Sequence, residues 1–320
     1  MTWLRTSEMV NPQLLGKYFS EQTVAKNAFV RSGIIENSAE LSAMIAAGGL
    51  TGKLPFYKMI TGDDEVLSDA SGEALTVNGT STASEIYAVL ARGKAFGASD
   101  LAKAFSGDDP MKALGDMISD YWTTKMSTTL ISSLTGLFLN SSMSGLVHDI
   151  SGGSTAATRM LTASNAVDAF AKLGDNASKI TAIAVHSATM AVLQKEQLIT
   201  YLRNAEYNIE MPTYLGKLVI VDDSLPVSSG TYTSYAFTPG AVVYGGNSAP
   251  TPIEYDRDSL AGVDILVTRY HYVLHPRGTS INTAGIAGAT PSNTELATDI
   301  FSRVFDVKNM GIVQIKHKNA

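Results

Sequence analysis

The chain has 320 residues, 24 basic and 30 acidic side chains, a formal net charge of −6 and no cysteine. Charged residues make up only 17% and hydrophobic residues 45%, which is typical of a globular rather than a disordered protein. The lack of cysteine excludes disulfides, thiolate metal sites and cysteine nucleophiles. The acidic balance argues against a sequence-specific DNA-binding protein, which normally carries a basic stripe. Alanine, serine, threonine and glycine exceed a third of all residues, and such small side chains suit close-packed surfaces and extended strands.

The sequence contains no candidate membrane span. Its most apolar stretch, Ile180–Leu193, is interrupted by His186 and Ser187 and falls short of the 18 or more apolar residues that a membrane helix needs. The N-terminus has one early basic residue, Arg5, followed by polar positions instead of an apolar signal core. We therefore expect no membrane partner and no export signal.

The first part of the chain predicts an arm followed by a long hairpin. Asn11–Ile35 has mixed charges and scattered aromatic residues, as expected of an arm. Lys53–Ile60 is strand-like, although Pro55 confines it to an edge or to the start of a strand. Ser84–Phe96 is again extended, and the intervening Thr61–Ala74 is acidic and rich in turn formers. Two extended legs with this joining segment make a hairpin that has too few apolar residues to bury itself, so we expect it to lie on another surface.

A long helix is the clearest local signal. Asp109 is a suitable N-cap and Pro110 suits the first helical position. Apolar residues then recur every four positions as far as Phe138, which predicts a helix over Pro110–Phe138, about 43 Å long at 1.5 Å per residue. A strict four-residue spacing drifts around a 3.6-residue helix. The apolar stripe should therefore wind and contact more than one neighbour.

The middle of the chain predicts a small α/β unit. Ser164–Leu173 is expected to be helical, and Ile180–Val185 is a buried strand. Ser187 is a candidate cap for a helix that runs to about Leu202, and Lys217–Val221 is a second buried strand. A strand, a helix and a strand in this order predict a parallel pair with a right-handed crossover.

The last third of the chain is predicted to be mostly extended. Asp256–Asp258 is expected to form a turn and Ser280–Pro291 a loop, and a helix over Thr294–Val304 is expected to be capped by Ser292 or Asn293. The predicted strands are Tyr232–Phe237, Ala241–Tyr244, Asp264–Leu274 and Gly311–Ile315.

Sequence motifs for nucleotide binding or acyl transfer are missing. The nearest approach to a phosphate-binding GxxxxGK[ST] loop, at Gly52-Lys53, has Leu54 next and Ala47 in place of the first glycine. No GxGxxG joins a strand to a helix, and no GxSxG nucleophile elbow is present. We predict no cofactor.

One pair of histidines and one histidine–serine pair could suggest a site, and neither is persuasive. His271 and His275 share one face of a predicted strand but would lie about 13 Å apart at 3.3 Å per residue, too far to share one metal. His186 and Ser187 place a base beside a hydroxyl. Adjacent strand residues point to opposite faces, however, and helix capping already accounts for Ser187. We favour chance spacing for His271 and His275, and helix capping for Ser187.

Asp222 and Asp223 are the most serious candidate for chemistry. They follow a predicted parallel strand at its carboxyl end, where open α/β sheets bind ligands, and could hold Mg²⁺ for phosphoryl transfer. The simpler interpretation, which we favour, is a strand that ends in a solvated turn, with Pro226 close behind.

Charge patterning points instead to assembly. The acidic segment of the hairpin has no basic residue and could dock on a basic surface of a neighbouring subunit, where its register would be set by charge. A solvated loop is the alternative. The acidic candidates are Asp63, Asp64, Glu65, Asp69 and Glu73, and the basic candidates are Arg92, Lys94, Lys103, Lys112 and Lys125.

In this order, the elements resemble the major capsid proteins of tailed bacteriophages, the Hong Kong 97-type fold that encapsulin shells also use. The likeness covers nearly the whole chain. Each motif is weak alone, but six in the expected order are fairly specific. The motifs are Gly48-Gly49 with Leu54-Pro55-Phe56; Ser106-Gly107-Asp108-Asp109-Pro110 before the helix with Tyr121-Trp122; Val221-Asp222-Asp223-Ser224-Leu225-Pro226; Tyr255-Asp256-Arg257-Asp258; His275-Pro276-Arg277-Gly278; and Phe305-Asp306-Val307-Lys308-Asn309.

The resemblance implies an α+β fold with a particular domain plan. The fold would have an N-arm, an extended E-loop hairpin, a peripheral (P) domain with a long spine helix, and an axial (A) domain with a small mixed sheet. The implied boundaries are 1–49 for the N-arm, 50–97 for the E-loop, 98–164 for the P-domain with its spine helix, 165–250 for the A-domain, 251–272 for further P-domain strands and 273–320 for a C-terminal return to the A-domain.

The resulting hypothesis is a non-enzymatic major capsid protein that self-assembles through pentamers and hexamers into an icosahedral head around double-stranded DNA. Its DNA contact would be non-specific, its further partners would be portal, scaffold and decoration proteins, and its location would be the virion after assembly in the host bacterial cytoplasm. Two alternatives stay open at this point: an encapsulin-like compartment around a cargo enzyme, and a Mg²⁺-dependent phosphohydrolase at Asp222 and Asp223.

Overall fold

A computed structural model describes residues 27–100 (apart from 59, 61, 66–74 and 76), 110–204 and 209–319. The helices are α1 Ala28–Arg31, α2 Ala39–Ala46, α3 Pro110–Leu137, α4 Ala156–Arg159, α5 Ala163–Phe170, α6 Ser187–Lys195 and α7 Asn293–Leu296. The first eight strands are β1 Ile35–Asn37, β2 Thr51–Tyr57, β3 Thr82–Ala88, β4 Leu90–Ser99, β5 Val147–Asp149, β6 Ala182–Val185, β7 Ile199–Asn204 and β8 Ile209–Tyr214. The others are β9 Lys217–Val221, β10 Val227–Ser228, β11 Thr231–Phe237, β12 Val242–Asp258, β13 Val263–Pro276, β14 Thr279–Ile281, β15 Phe301–Arg303 and β16 Ile312–Lys318.

The strands form two larger sheets and two small ones. The central sheet has eight strands, in the order β5-β16-β11-β6-β9-β8-β7 with β10 beside β11. Within it, β6 and β9 are parallel, as the sequence predicts, and α6 forms the crossover between them. The second sheet has the order β1-β12-β13-β4. Most neighbouring strands are antiparallel, so the fold is α+β with one βαβ unit.

The long helix α3 joins the two larger sheets. Its N-terminal half lies on the four-stranded sheet, where Trp122 Nε1 donates a hydrogen bond to Thr268 Oγ1 at 3.1 Å and Ile118 packs with Leu266. Its C-terminal half enters the main core through Leu130 and other fully buried residues. The predicted winding stripe with two neighbours is therefore confirmed, because the four-residue spacing turns the apolar surface from one sheet to the other. Asp109, the predicted cap, lies outside the described residues.

The predicted helix after Ser187 is too long. α6 ends at Lys195, Gln197 adopts a positive φ of 55°, and β7 begins at Ile199. This segment pairs along its whole length with β8, and tertiary pairing of this kind overrides helical periodicity. The cap also differs from the prediction, because the N-cap residue is His186, whose side chain accepts from the Ala188 N–H at 3.1 Å.

Two predictions in the last third are also wrong. Asp256–Asp258 is the end of β12 and pairs with β13, and the chain turns only after it, reaching a positive φ at Gly262. The predicted helix Thr294–Val304 is a single turn, α7, followed by β15, which pairs with β14 at the start of the predicted loop. The predicted cap at Ser292 is confirmed, because its side chain accepts from the Glu295 N–H at 3.2 Å.

Among the described residues, no helix combines the length and the apolar character needed to cross a lipid bilayer.

Candidate assembly surface

The predicted hairpin is present and consists of β2 and β3, but its second leg is shorter than predicted. Of the predicted leg Ser84–Phe96, only the part up to Ala88 pairs with β2, and the rest belongs to β4, which pairs with β13. The two strands pair antiparallel from Thr51 opposite Ala88 to Tyr57 opposite Thr82. In the described part of the chain β2 pairs only with β3, so Pro55 lies on an edge strand, as its missing N–H requires. A two-stranded ribbon of this kind is marginally stable alone. The rest of its stability must come from what it touches.

The base of the hairpin, residues 51–56 and 82–89, is called the root here and packs against the body mainly through buried residues of the β3 side. Tyr87 and Val89 belong to a small apolar cluster with Leu41 of α2 and Val273 of β13. Gly52 faces this cluster across the ribbon, and a Cβ at this position would collide with the Tyr87 hydroxyl. The root therefore combines a close approach that only glycine permits with burial of an aromatic side chain.

A buried polar pair also holds the root. Glu85 of β3 lies 3.4 Å from His275 Nε2 of β13, with side-chain exposures of only 8% and 1%. The same nitrogen lies 3.1 Å from the Thr279 carbonyl oxygen. Phe56 packs edge-to-face on Phe305 at a centroid distance of 4.8 Å. Both legs of the ribbon thus contact residues that lie far away in the sequence.

The root also continues directly into the four-stranded sheet. Val89 is the single residue between β3 and β4, and its N–H donates to the Leu50 carbonyl at 2.8 Å. The next ten residues pair with β13 as strand β4. The direction of the hairpin is therefore set by the sheet from which it emerges.

Beyond the root, the residues of the hairpin that the structure describes are exposed. We call residues 57–81 the tip. Its described apolar side chains are exposed by 79% at Tyr57, 77% at Ile60, 59% at Leu75 and 95% at Val77. Exposed apolar groups that cluster on one projection mark an interaction surface more often than a solvated loop.

The acidic candidates lie on this tip. Asp63, Asp64 and Glu65 are exposed, next to Ile60 in the chain. Asp69 and Glu73 lie outside the described residues. The described part of the tip thus combines exposed apolar side chains with negative charge.

The basic candidates differ from one another. Arg92 bonds within its own chain, donating to the Pro291 carbonyl at 2.5 Å and to Asn293 Oδ1 at 3.3 Å. Lys94 is exposed on β4. Lys125 is also exposed, and its ammonium lies 5.4 Å from the centre of the Tyr121 ring. Lys103 and the side chain of Lys112 lie outside the described residues. Lys94 and Lys125 are therefore the better placed of the predicted counterparts.

A second projection lies at the turn between β12 and β13. Leu260 at this turn is 99% exposed. The strands below it are clamped by Arg257, which bonds to Asp264 Oδ1 at 2.6 Å and to Asp100 of the neighbouring strand end. Sequence reasoning placed a turn at Arg257 and so missed both the clamp and the exposed leucine beyond it.

The candidate catalytic residues have structural roles. Asp222 accepts from the Ser224 N–H at 2.8 Å, which closes a turn. Asp223 accepts from the Ser187 N–H at 3.1 Å, and hydrogen bonds from Ser187 lower the pKa of this carboxyl. His186, Ser187 and Asp223 are thus close together, contrary to the expectation for strand neighbours, because Ser187 already belongs to α6. They cap the helix N-terminus.

No metal site emerges from the histidines. His275 is buried beside Glu85, while His271 lies four residues away and pairs in register with Asn247 of β12. Within the described ranges no group of three or more histidine, aspartate or glutamate side chains could hold a metal ion.

Sequence reasoning missed the residues that fix the root. Glu85 and His275 are separated by most of the chain, and no local pattern pairs them.

Solved structures with the same arrangement of elements are subunits of protein shells. The structure aligns with the capsid asymmetric unit of cyanophage Pam1 at a TM-score of 0.58 and 11% identity, covering 100% of this chain and 96% of that one. It also aligns with the SrpI encapsulin of Synechococcus elongatus at a TM-score of 0.51 and 11% identity, covering 75% of this chain and 78% of that one. The Hong Kong 97-type fold is therefore shown.

The sequence relationship is more specific than the fold. Residues 108–300 match the profile of the Gp13-like family, described as Major capsid protein 13-like. Over 326 aligned positions the chain is 38% identical to the major capsid protein of Bacillus phage SPP1, covering 99% of both proteins. The chain belongs to the Gp13-like family of major capsid proteins of tailed phages. As a capsid protein it is a structural component of the virion and assembles with copies of itself into a shell.

Proposed function

We propose that the tip of the β2–β3 hairpin is the arm through which each subunit binds its neighbour in pentamers and hexamers of an icosahedral head. The observation that carries this proposal is the contrast between a buried root and a tip whose described apolar residues are exposed. Burying a large apolar side chain contributes about 1.5–3 kcal/mol. Several such side chains per copy, repeated around a closed shell, provide a substantial driving force.

The acidic residues of the tip would set the register of this contact. We propose that Asp63, Asp64 and Glu65, together with Asp69 and Glu73, face basic residues of a neighbour, with Lys94 and Lys125 as the first candidates and Arg92 and Lys112 as further ones. Exposed ion pairs contribute only about 0–1 kcal/mol each. Their effect is therefore on the choice of partner surface more than on the strength of binding.

The domain plan of the resemblance remains the framework for this proposal. The N-arm would cover 1–49, the E-loop 50–97, the P-domain 98–164 and 251–272, and the A-domain 165–250 with the C-terminal return 273–320. The bridging position of α3 and the continuity between β3 and β4 support a spine helix with the E-loop emerging from the P-domain sheet.

The relationship to a phage major capsid protein, more than the net charge of the chain, supports a proposal about what the shell contains. We propose that the head encloses double-stranded DNA by non-specific contact, that the subunit has no enzymatic role, and that assembly occurs in the host bacterial cytoplasm with portal, scaffold and decoration proteins as further partners. An encapsulin-like compartment is the second candidate, because one solved encapsulin shares the fold. The 38% identity to a phage major capsid protein favours the phage head.

Substitution of the tip tests the proposed arm. Ile60→Asp combined with Val77→Asp should abolish closed particles in negative-stain images and size-exclusion chromatography, while the unassembled subunit keeps its circular-dichroism spectrum. Val167→Asp, at a position 56% exposed on α5, is the matched control and should assemble normally. Normal assembly of the tip variant would contradict the proposal.

The contents of the particle test the second part. Purified particles from infected cells should show nucleic-acid absorbance that resists added nuclease until the shell is opened. Particles that contain a protein cargo and no nucleic acid would favour the encapsulin alternative.

A further inference from the structure

A pocket of about 230 Å³ lies at one end of the central sheet. Residues from four separate segments line it, namely 176 and 179, 238–241, 277, and 305 with 308–311. They meet here because β11 ends at Phe237, and β6 and β16 begin at Ala182 and Ile312, at the same edge of the sheet. The predicted aspartates Asp222 and Asp223 follow β9, which is parallel to β6, and so lie at the opposite edge. This pocket is therefore a different place in the fold from the site considered for phosphoryl transfer.

The lining of this pocket is cationic. Lys179, Arg277 and Lys308 line it, and no aspartate or glutamate does. This contrasts with the chain as a whole, which has a net charge of −6. Two of these residues, Arg277 and Lys308, come from the short motifs His275-Pro276-Arg277-Gly278 and Phe305-Asp306-Val307-Lys308-Asn309. Within these motifs His275 and Phe305 hold the hairpin root, whereas the two cations line the pocket.

The three cations are available to a ligand. Lys179 is exposed and forms no ion pair with any of the residues that the structure describes. Arg277 Nη2 contacts Glu36 Oε2 at 2.7 Å, and Lys308 Nζ contacts Asp175 Oδ2 at 2.9 Å. Both pairs lie at the exposed rim, where an ion pair contributes only about 0–1 kcal/mol. Either cation can therefore turn toward an anion in the pocket at little cost.

The shape of the pocket is built into the backbone. Gly240 and Gly311 adopt positive φ values of 64° and 69°, which side chains rarely tolerate. A Cβ at Gly240 would lie 2.7 Å from Glu36 Oε2, and one at Gly311 would collide with the Thr238 hydroxyl. Met310 is buried at the base. The walls are thus close-packed turns, which fix the backbone positions from which the three cationic side chains extend.

We propose that this pocket binds a phosphate group. A carboxylate needs one cation, whereas a phosphate carries more negative charge and has more acceptor oxygens. It matches three cations from three segments, one of them a guanidinium whose planar fork suits phosphate oxygens. The Thr238 hydroxyl at the rim adds a neutral donor. The phosphate could be a free ion or belong to a nucleic-acid backbone, since the recognising chemistry is the same. The inference does not depend on the proposed role of the hairpin.

Equilibrium dialysis of the purified full-length protein against radiolabelled inorganic phosphate tests the site, at constant ionic strength set with chloride. We expect saturable binding of about one phosphate per subunit. Lys179→Gln and Arg277→Gln should each weaken binding about tenfold, as expected for the loss of one charge-assisted hydrogen bond. Lys195→Gln, at an exposed lysine of α6 outside the pocket, is the matched control and should bind like the unaltered chain. Both altered side chains are exposed, so the fold should persist.

A short DNA duplex separates the two sources of phosphate. Competition between the duplex and labelled phosphate would assign the pocket to backbone phosphates, and phosphate binding that the duplex leaves unchanged would assign it to the free ion. The proposal is overturned by non-saturable binding, or by an equal loss in Lys195→Gln. It is also overturned if phosphate fails to bind. A disulfide between Lys179→Cys and Asp64→Cys of another copy would in that case show that the pocket receives the acidic tip instead. The chain has no native cysteine to confuse this last measurement.

Discussion

The central sheet and the β2–β3 hairpin differ in how far their residues are buried within the subunit. Every residue of β6 is fully buried, and β6 lies between β11 and β9. Along β2, by contrast, exposed and half-buried residues alternate, and its only described partner is β3. Contacts within the subunit therefore stabilise the central sheet, whereas the described part of the hairpin contacts the rest of the subunit through its root. The exposed tip is therefore the part of the subunit that the proposed contact with a neighbour would bury.

The largest expected effect is in the core beside the central sheet. Leu134 of α3 is fully buried, and Leu134→Ala should lower the free energy of unfolding of the unassembled subunit by about 2–5 kcal/mol through the cavity it leaves. Leu139→Ala, at a position 60% exposed just beyond the same helix, should change it by less than about 0.5 kcal/mol. Urea unfolding followed by circular dichroism measures both. An equal loss of unfolding free energy in the two variants would contradict the assignment of Leu134 to the core and Leu139 to the surface.

The central sheet should also weaken in acid because of His317. This histidine is fully buried on β16, its Nε2 lies 2.9 Å from Ser234 Oγ, and burial lowers its pKa to about 4 from an ordinary value of 6.5. The unfolded chain therefore binds a proton more readily, and the stabilisation is present above about pH 6.5 and lost as the pH falls toward 4. A lowering of this size corresponds to about 3 kcal/mol.

Urea unfolding at pH 7 and pH 5 checks this expectation. His317→Asn should flatten the pH dependence, and His271→Asn, at a half-buried position, should leave it as in the unaltered chain. A pH dependence that survives His317→Asn unchanged would show that another group is responsible.

Loss of the buried Glu85 carboxylate should destabilise the root of the hairpin and leave the central sheet unchanged. Glu85→Ala leaves the buried His275 without its carboxylate partner, which should lower the local free energy of opening by about 1–3 kcal/mol. Hydrogen exchange should become faster in β2 and β3 while the amides of β6 and β11 stay protected. Ser84→Ala, one residue away on the same strand, is the control. Faster exchange throughout the molecule would mean that the root is part of the global core.

The smallest effect is expected at the tip of the free subunit. Val77 is 95% exposed, so Val77→Asp should change the free energy of unfolding of the unassembled subunit by less than about 0.5 kcal/mol. Thermal unfolding of the unassembled subunit measures this. A large loss would mean that the tip folds against its own subunit.

Local signals predicted the elements with strong periodicity and failed where pairing partners were distant. The helix α3 was predicted to within one residue at its C-terminal end. Its apolar four-residue spacing and the proline at its first position are signals that lie within the helix sequence itself. The strand at Ile199 was predicted as helix because only its partner β8 reveals it. Arg257 was assigned to a turn because its neighbours are turn formers, yet its bonds to Asp100 and Asp264 hold it in a strand.

The candidate surface was predictable in outline only. The two extended legs and the acidic segment between them predicted a hairpin, and the structure has one. That the hairpin lies on another surface stays a prediction. Nothing local separated Arg92, which is bonded to Pro291 of its own chain, from the exposed Lys94 two residues away. Such distinctions depend on which segments the fold brings together.

A cryo-electron microscopy map of the assembled particle tests the central claim most directly. We expect a closed icosahedral shell in which residues 57–81 of each copy lie on the body of a neighbouring copy, with Ile60 and Val77 buried there. A shell in which this segment folds back on its own subunit, or projects into solvent with both side chains exposed, would contradict the account.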